Sequence, residues 1–197
     1  MDRRRFLQGA AALASATTLG RTSHAANAAA SERLRAGFVG VGGRAFGLLD
    51  MFSAQPDVEV VAIADIDPSH LTPAMKLLSD RSVKAPATHE DFRHINDDPS
   101  IQIVVVGTPD HWHAIPTILA CQAGKDVYVE KPDGHNIVEG QRMVEALRKH
   151  ARIVQMGNQA RSDPGFLAAM DYIRSGKLGN VLVAKAWENA RQGSIGT

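Results

Sequence analysis

Cysteine, aromatic residues and excess charge are all scarce in this sequence, and each shortage removes a class of explanation. One cysteine, Cys121, in 197 residues excludes an intramolecular disulfide framework and any metal site built on several thiolates. It stands in the apolar stretch "IPTILACQAG", where a small buried hydrophobe is the expected role. Aromatics make up 5%, so the core has to rest on Val, Ile, Leu and Ala. Lys plus Arg number 22 against 21 for Asp plus Glu. That balance offers no polyanion-binding surface, so no nucleic-acid partner is expected. The apolar stretch over residues 9–20 is too short, and too rich in Ala, Ser and Thr, to span a bilayer; no stable membrane anchor is expected. With 44% hydrophobic and 22% charged residues, the chain has the make-up of a soluble globular protein.

The first residues, "MDRRRFLQGAAALASATTLGRTSHAANAAA", have a basic start, a mildly apolar middle and small residues near the end, which is the pattern of an export signal. Arg3, Arg4, Phe6 and Leu7 resemble the twin-arginine consensus, with Asp2 and Gln8 as imperfect flanks. "SHA" at 23–25 offers a cleavage site and "ANA" at 26–28 competes with it. A signal over residues 1–25, a periplasmic or otherwise exported protein and the twin-arginine machinery as partner are the expectations. That machinery moves folded proteins, so a nucleotide bound in the cytoplasm can be carried across.

Beyond the signal, short apolar runs alternate with amphipathic segments. "LRAGFVGVG", "VEVVAIADID", "IQIVVVGTP", "KDVYVEKP" and "RIVQMGNQ" read as strands. "RAFGLLDMFSA", "PSHLTPAMKLLSD", "HEDFRHIND", "HAIPTILACQAG" and "IVEGQRMVEALRKHA" read as helices, with Pro73 expected near a first turn. The run in "IQIVVVGTP" lacks polar alternation, as a strand covered on both faces should. The order predicts an α/β fold: a doubly wound parallel sheet of the Rossmann type over residues 33–160. From 161 to 197 a helix, a glycine-containing turn and the start of a new strand are expected. A strand with no partner after it predicts that the sequence stops inside a second domain.

"FVGVGGRAFG" places Gly40, Gly42 and Gly43 between a strand and a helix. A sharp turn and close backbone approach to a pyrophosphate both favour residues without a Cβ. The N–H groups and dipole at the helix start then hold the anion. Ala45 is a permitted small residue at the third fingerprint position. The companion acid of the fingerprint, about twenty residues on and at the end of the next strand, is Asp65 in "VVAIADID". Its carboxylate can accept from ribose hydroxyls and would repel a 2′-phosphate, which favours NAD over NADP. The competing role for Asp65 is a helix cap.

In open parallel sheets ligands bind beyond the carboxyl ends of the strands. The strand ends here carry Thr108, Pro109, Asp110, His111 and His113, then Glu130, Lys131 and Pro132, then Gly157, Asn158 and Gln159. Gly40-x-Gly42-Gly43-Arg44, "ADID", "TPDHWH", "VEKP" and "QMGNQ" follow one another in a family's order and spacing. From about Leu34 onward the sequence resembles the Gfo/Idh/MocA (glucose–fructose oxidoreductase/inositol dehydrogenase) family. "TPDHWHA" with "EKP…HNI" looks most like its exported branch. The resemblance implies an NAD(P)-dependent oxidoreductase of sugars, cyclitols or related polyols. It also implies a second α/β domain with a mainly antiparallel sheet, which supplies much of the substrate pocket and often the interface of a homo-oligomer. Further catalytic residues would lie in that domain, so the 197 residues alone are expected to bind nucleotide and turn nothing over.

Through the resemblance, Lys131 stands beside the nicotinamide and the reacting carbinol. Oxidising an alcohol removes a hydride and a proton, so a base must reach the hydroxyl. A lysine with an ordinary pKa of roughly 10 is a poor base at neutral pH, and burial beside a positive ring is the expected remedy. Lys131 is thus the expected catalytic residue, with Glu130 orienting it or lining the cofactor pocket. Gly40, Gly42, Gly43, Arg44, Asp65, Thr108, Pro109, His113, Asn158 and Gln159 complete the expected nucleotide site. Trp112 is a candidate for stacking on a sugar or the nicotinamide, and equally for plain packing. His111 and His113 form an H-x-H pair with no third ligand at suitable spacing, so no metal is expected. One departure stands out: the family usually has an apolar and a small residue after E-K-P, and here Asp133 and Gly134 follow. An acid there would hold the lysine in its charged form unless it points away. Two other functions compete. One is an NAD-dependent glycoside hydrolase working by transient oxidation, against which "VEKP" argues. The other is a non-catalytic nucleotide-binding protein.

Overall fold

The structure is a computed structural model that describes residues 33–187. The expected signal over residues 1–25 lies outside the described residues. The chain divides into two compact units between Gly157 and Asn158, each treated by itself.

The first unit is built on six strands: β1 (Leu34–Val39), β2 (Val58–Ala64), β3 (Ala87–His89), β4 (Ile103–Val106), β5 (Asp126–Val129) and β6 (Val154–Met156). They form one parallel sheet in the order β3-β2-β1-β4-β5-β6. Five helices connect them: α1 (Gly43–Ser53), α2 (Pro68–Asp80), α3 (Arg93–Asp97), α4 (Ala114–Gln122) and α5 (Ile137–His150). The result is the doubly wound Rossmann arrangement that the alternation of elements predicts. Strand β4 shows why its sequence lacks polar alternation. Val104 and Val106 pack on one face with Ile95, Ala120 and Met143. Val105 packs on the other with Phe38, Leu48 and Leu78. Two apolar layers therefore sandwich the sheet, and Cys121 lies buried in the first of them. Burial pushes its thiol pKa up, so it is an inert core residue rather than a nucleophile.

Local chemistry sets the helix boundaries. At the start of α2 the Asp67 side chain accepts the Ser69 N–H, with Pro68 in the first position; there the missing N–H costs nothing. At α5, Asn136 accepts the Glu139 N–H while Glu139 reaches back to the His135 N–H at 2.7 Å. This reciprocal pairing has the logic of a capping box. Arg148, Lys149 and His150 fill the last turn of α5, where cations suit the helix dipole.

Three elements differ from expectation. Strand β3 was not expected: three residues are too few to show a period. Pro73 lies inside α2 rather than in its first turn: the helix begins at Pro68, capped by Asp67, and runs through it. In the second unit, α6 (Pro164–Arg174) is capped by Asp163, but residues 181–187 form no strand. An apolar run becomes a strand only with a ladder partner for its N–H and C=O groups, and among the described residues none is provided.

Gly107 fixes how closely α1 approaches β4. A Cβ at that position would meet the Ala45 Cβ at 2.4 Å and the Ala45 Cα at 3.1 Å. The substitution Gly107→Ala is expected to destabilise the protein by about 1–3 kcal/mol, the usual cost of overpacking. An unchanged urea midpoint would show that α1 can shift freely.

Candidate nucleotide site

The sheet order reverses between β1 and β4, and a crevice opens beyond their carboxyl ends, as the topology requires. Its volume is about 610 Å³, and its walls include Gly40, Gly42, Asp65, His70, Thr108 and Trp112.

The glycine loop is built by necessity. Gly40 has φ +79°, and a Cβ there would stand 2.9 Å from the Thr108 backbone nitrogen. Gly43 has φ +49° with open space beside it. Gly42 is the N-cap of α1 and supplies no side-chain cap. The Ala45 N–H already donates to the Gly42 carbonyl at 3.0 Å; the Gly43 and Arg44 N–H groups ahead of it are left to an outside acceptor, and the side on which a Cβ of Gly43 would sit is clear. An anion such as a pyrophosphate fits this cradle. The Thr108 Oγ1 is buried without a hydrogen-bond partner, a second sign that the crevice wants a polar ligand.

Asp65 does more than face the crevice. Its Oδ2 accepts the Val41 N–H at 2.9 Å and its Oδ1 accepts the Asp67 N–H at 2.9 Å. The carboxylate therefore staples the glycine loop to the end of β2. It is not the cap of α2; Asp67 is. The Asp67 carboxyl is held below its ordinary value, chiefly by hydrogen bonding from Ser69. His70 places Nδ1 3.1 Å from Asp65 Oδ2, and its ring lies where a Cβ on Gly42 would be, 2.6–2.9 Å from three ring atoms.

Arg44 and Pro109 line the crevice, and Arg44 donates Nε to Glu130 Oε1 at 3.0 Å. Glu130 is 3% exposed and is not among the crevice walls. Its other oxygen accepts the Lys131 N–H at 3.1 Å. Of the two expected roles, orienting the lysine or lining the pocket, its contacts are of the first kind: a buried carboxylate must be paired, and both its oxygens are used. It holds Lys131 through the backbone.

The expectation for His113 is corrected. It is 2% exposed, with Nε2 2.7 Å from the Thr108 carbonyl and Nδ1 against the Pro132 carbonyl. The ring lies between two main-chain carbonyls, to one of which a neutral imidazole can donate, so it packs between the β4 and β5 ends and is not among the crevice walls. His111 and Trp112 are the members of that run on the crevice wall. The His111 N–H and His135 hold the Asp110 carboxyl below its ordinary value.

Lys131 is exposed among the described residues, whereas burial was expected of it. The peptide bond to Pro132 is cis. Among the described residues no carboxylate lies within 4.0 Å ion-pair range of its amine. Asp133 accepts the Gly134 N–H and its other oxygen is the nearest atom to a Cβ built on Gly140 in α5, at 3.9 Å. The acid thus turns toward α5. Asn158 and Gln159 fall in the second unit, with Asn158 at the head of the short 3-10 helix Gln159–Ser162; both are exposed. Sequence reasoning missed His70, Glu90 and Phe92 as crevice walls. The one signal for His70 was its place in the first turn of the helix that follows the acid.

This crevice, with its glycine cradle and acid at the next strand end, defines a dinucleotide-binding Rossmann unit. A family model described as "Oxidoreductase family, NAD-binding Rossmann fold" (GFO_IDH_MocA) matches residues 34–158, and the chain belongs to that family. It is 28% identical over 162 residues to a glycosyl hydrolase family 109 protein of Shewanella pealeana, covering 79% of this chain and 35% of the relative. It is 31% identical over 152 residues to the 1-carboxy-3-chloro-3,4-dihydroxycyclo hexa-1,5-diene dehydrogenase of Comamonas testosteroni, covering 75% and 36%. The chain thus spans little more than a third of the length of these relatives. The crystal structure of myo-inositol 2-dehydrogenase from Lactobacillus plantarum superposes with a TM-score of 0.68 at 25% identity, covering 76% of this chain and 43% of that one.

The Arg44–Glu130 pair ties the glycine loop to the end of β5. Replacing Arg44 by Met leaves a buried carboxylate with one partner, at an expected cost of about 1–3 kcal/mol in urea unfolding. Adding Glu130→Leu should recover part of that loss. Additive losses in the double variant would mean that the two groups do not act as a pair.

Proposed function

We propose that the protein is an NAD-dependent oxidoreductase acting on a carbinol of a sugar, cyclitol or related polyol. One observation carries this reading. On the two sides of the glycine loop, the ends of β2 and β5, with β1 and β4 between them, carry a carboxylate suited to a ribose, Asp65, and a lysine with no acidic partner, Lys131. When bound, the nicotinamide supplies the hydride acceptor or donor. The first-turn N–H groups of α1 hold the pyrophosphate. Asp65 accepts from a ribose hydroxyl, and with Asp67 beside it opposes a 2′-phosphate, so NAD is preferred over NADP. The Lys131 amine takes the hydroxyl proton in oxidation and returns it in reduction. His113 and Glu130 keep the backbone on both sides of that lysine in place.

A second reading has its own support. Similarity to a glycosyl hydrolase family 109 protein favours a reaction in which bound NAD is reduced and reoxidised within one turnover. Net NADH from a polyol marks the dehydrogenase; glycoside cleavage without net NADH marks the hydrolase.

Substituting Lys131→Met should lower turnover of the whole protein by about a hundredfold or more and leave NAD affinity within about twofold. Steady-state rates with isothermal titration decide this, and full turnover by the variant would remove Lys131 from the chemistry. Export by the twin-arginine route is the accompanying proposal, supported by Arg3, Arg4, Phe6 and Leu7. The double change Arg3→Lys, Arg4→Lys should keep the protein in the cytoplasmic fraction; unchanged periplasmic recovery would refute that route.

A further inference from the structure

Asp65 is more fully used than a ribose-reading carboxylate should be. An ionised carboxylate has about four acceptor positions. Val41 N–H and His70 Nδ1 occupy Oδ2, and Asp67 N–H occupies Oδ1. One acceptor position remains for a ligand, whereas a ribose diol offers two hydroxyls. The second acceptor is close by. A carboxylate oxygen is an acceptor only, so the His70 Nδ1 that faces it must carry the hydrogen. With that hydrogen on Nδ1, a neutral imidazole carries its lone pair on Nε2. That nitrogen makes no hydrogen bond among the described residues; its nearest charged neighbour is Asp67 Oδ2 at 3.9 Å, beyond hydrogen-bond range. The ring is half-exposed, packs on the Gly42 backbone and lines the crevice.

Resting on the NAD-binding reading of this crevice, we propose that His70 is a second specificity-determining residue, whose Nε2 shares the adenosine ribose diol with Asp65. Two acceptors and no donor then face the 2′ position, so rejection of a 2′-phosphate runs through His70 as well as through the acid. The arrangement also explains why His70 sits in the first turn of α2 without capping it: the position brings the ring back over the glycine loop.

The test is isothermal titration of the full chain, its His70→Ala variant and its His70→Gln variant. The ligands are NAD, NADP and the two NAD analogues that lack the 2′- or the 3′-hydroxyl of the adenosine ribose. His70→Ala should weaken NAD by roughly three- to tenfold, the worth of one hydrogen bond. The loss should vanish with one of the two deoxy analogues. His70→Gln keeps an acceptor oxygen and should restore much of the NAD affinity, while both variants narrow the preference over NADP. An equal loss with NAD and both analogues would make His70 a mere brace for Asp65 and overturn the proposal. So would NAD binding that neither variant alters. A wild-type chain that binds no nucleotide would overturn the NAD-binding reading itself, and the proposal with it.

Discussion

Asp65 is held in place before any ligand arrives. The Val41 N–H comes from the glycine loop and the Asp67 N–H from the turn that starts α2. One carboxylate thus fixes the distance between the anion cradle and the group that reads the ribose. Each hydrogen bond to a charged acceptor is worth more than a neutral one. Two of the acid's three partners are backbone N–H groups, and the third is the His70 ring. Loop geometry and nucleotide choice are therefore one constraint. The glycines have their own reason as well: at 40 the neighbouring strand end is too near for a Cβ, and at 42 the His70 ring takes the space.

Two buried groups, Glu130 and His113, support the strand ends on the other side of the glycine loop. Glu130 joins α1 to the end of β5 through Arg44, and the His113 ring sits between the Thr108 and Pro132 carbonyls beyond β4 and β5. Both are nearly inaccessible, and buried polar groups are for the most part partnered. Their chemistry is spent inside the protein, and what they position is the main chain around Lys131. A lysine at such a strand end is long and flexible; rigid backbone on both sides limits where its amine can reach.

The fold was legible because periods and punctuation agreed. Apolar runs such as "IQIVVVGTP", glycines at a strand end and Asp67 before Pro68 all pointed to the same alternation. The strand at Ala87–His89 was not legible, since three residues carry no period and its pairing with β2 is a tertiary fact. For the site, residue type and order identified the glycine cradle and Asp65. They did not separate groups that face the crevice from groups that brace it. Thr108 and His113 stand five apart on one turn, yet one lines the crevice and the other is sealed behind it. That distinction depends on the direction of a side chain after a 3-10 turn, Asp110–Trp112, which no spacing rule reports.

The "DG" after E-K-P shows how a local departure can be neutral for chemistry. An acid two residues from Lys131 would pair with its amine if the loop allowed it. Instead Asp133 is engaged by the Gly134 N–H and turns toward the first turns of α5. Negative charge is welcome there, where helix N–H groups point outward. Gly134 eases this: a Cβ at that position would stand tight against the Glu139 Cβ at 3.1 Å and the Gly140 nitrogen at 3.3 Å, so a larger residue would need the helix start to give by a few tenths of an ångström. The two unusual residues act as a pair. The glycine brings the loop onto α5, and the helix end then draws the acid away from the lysine.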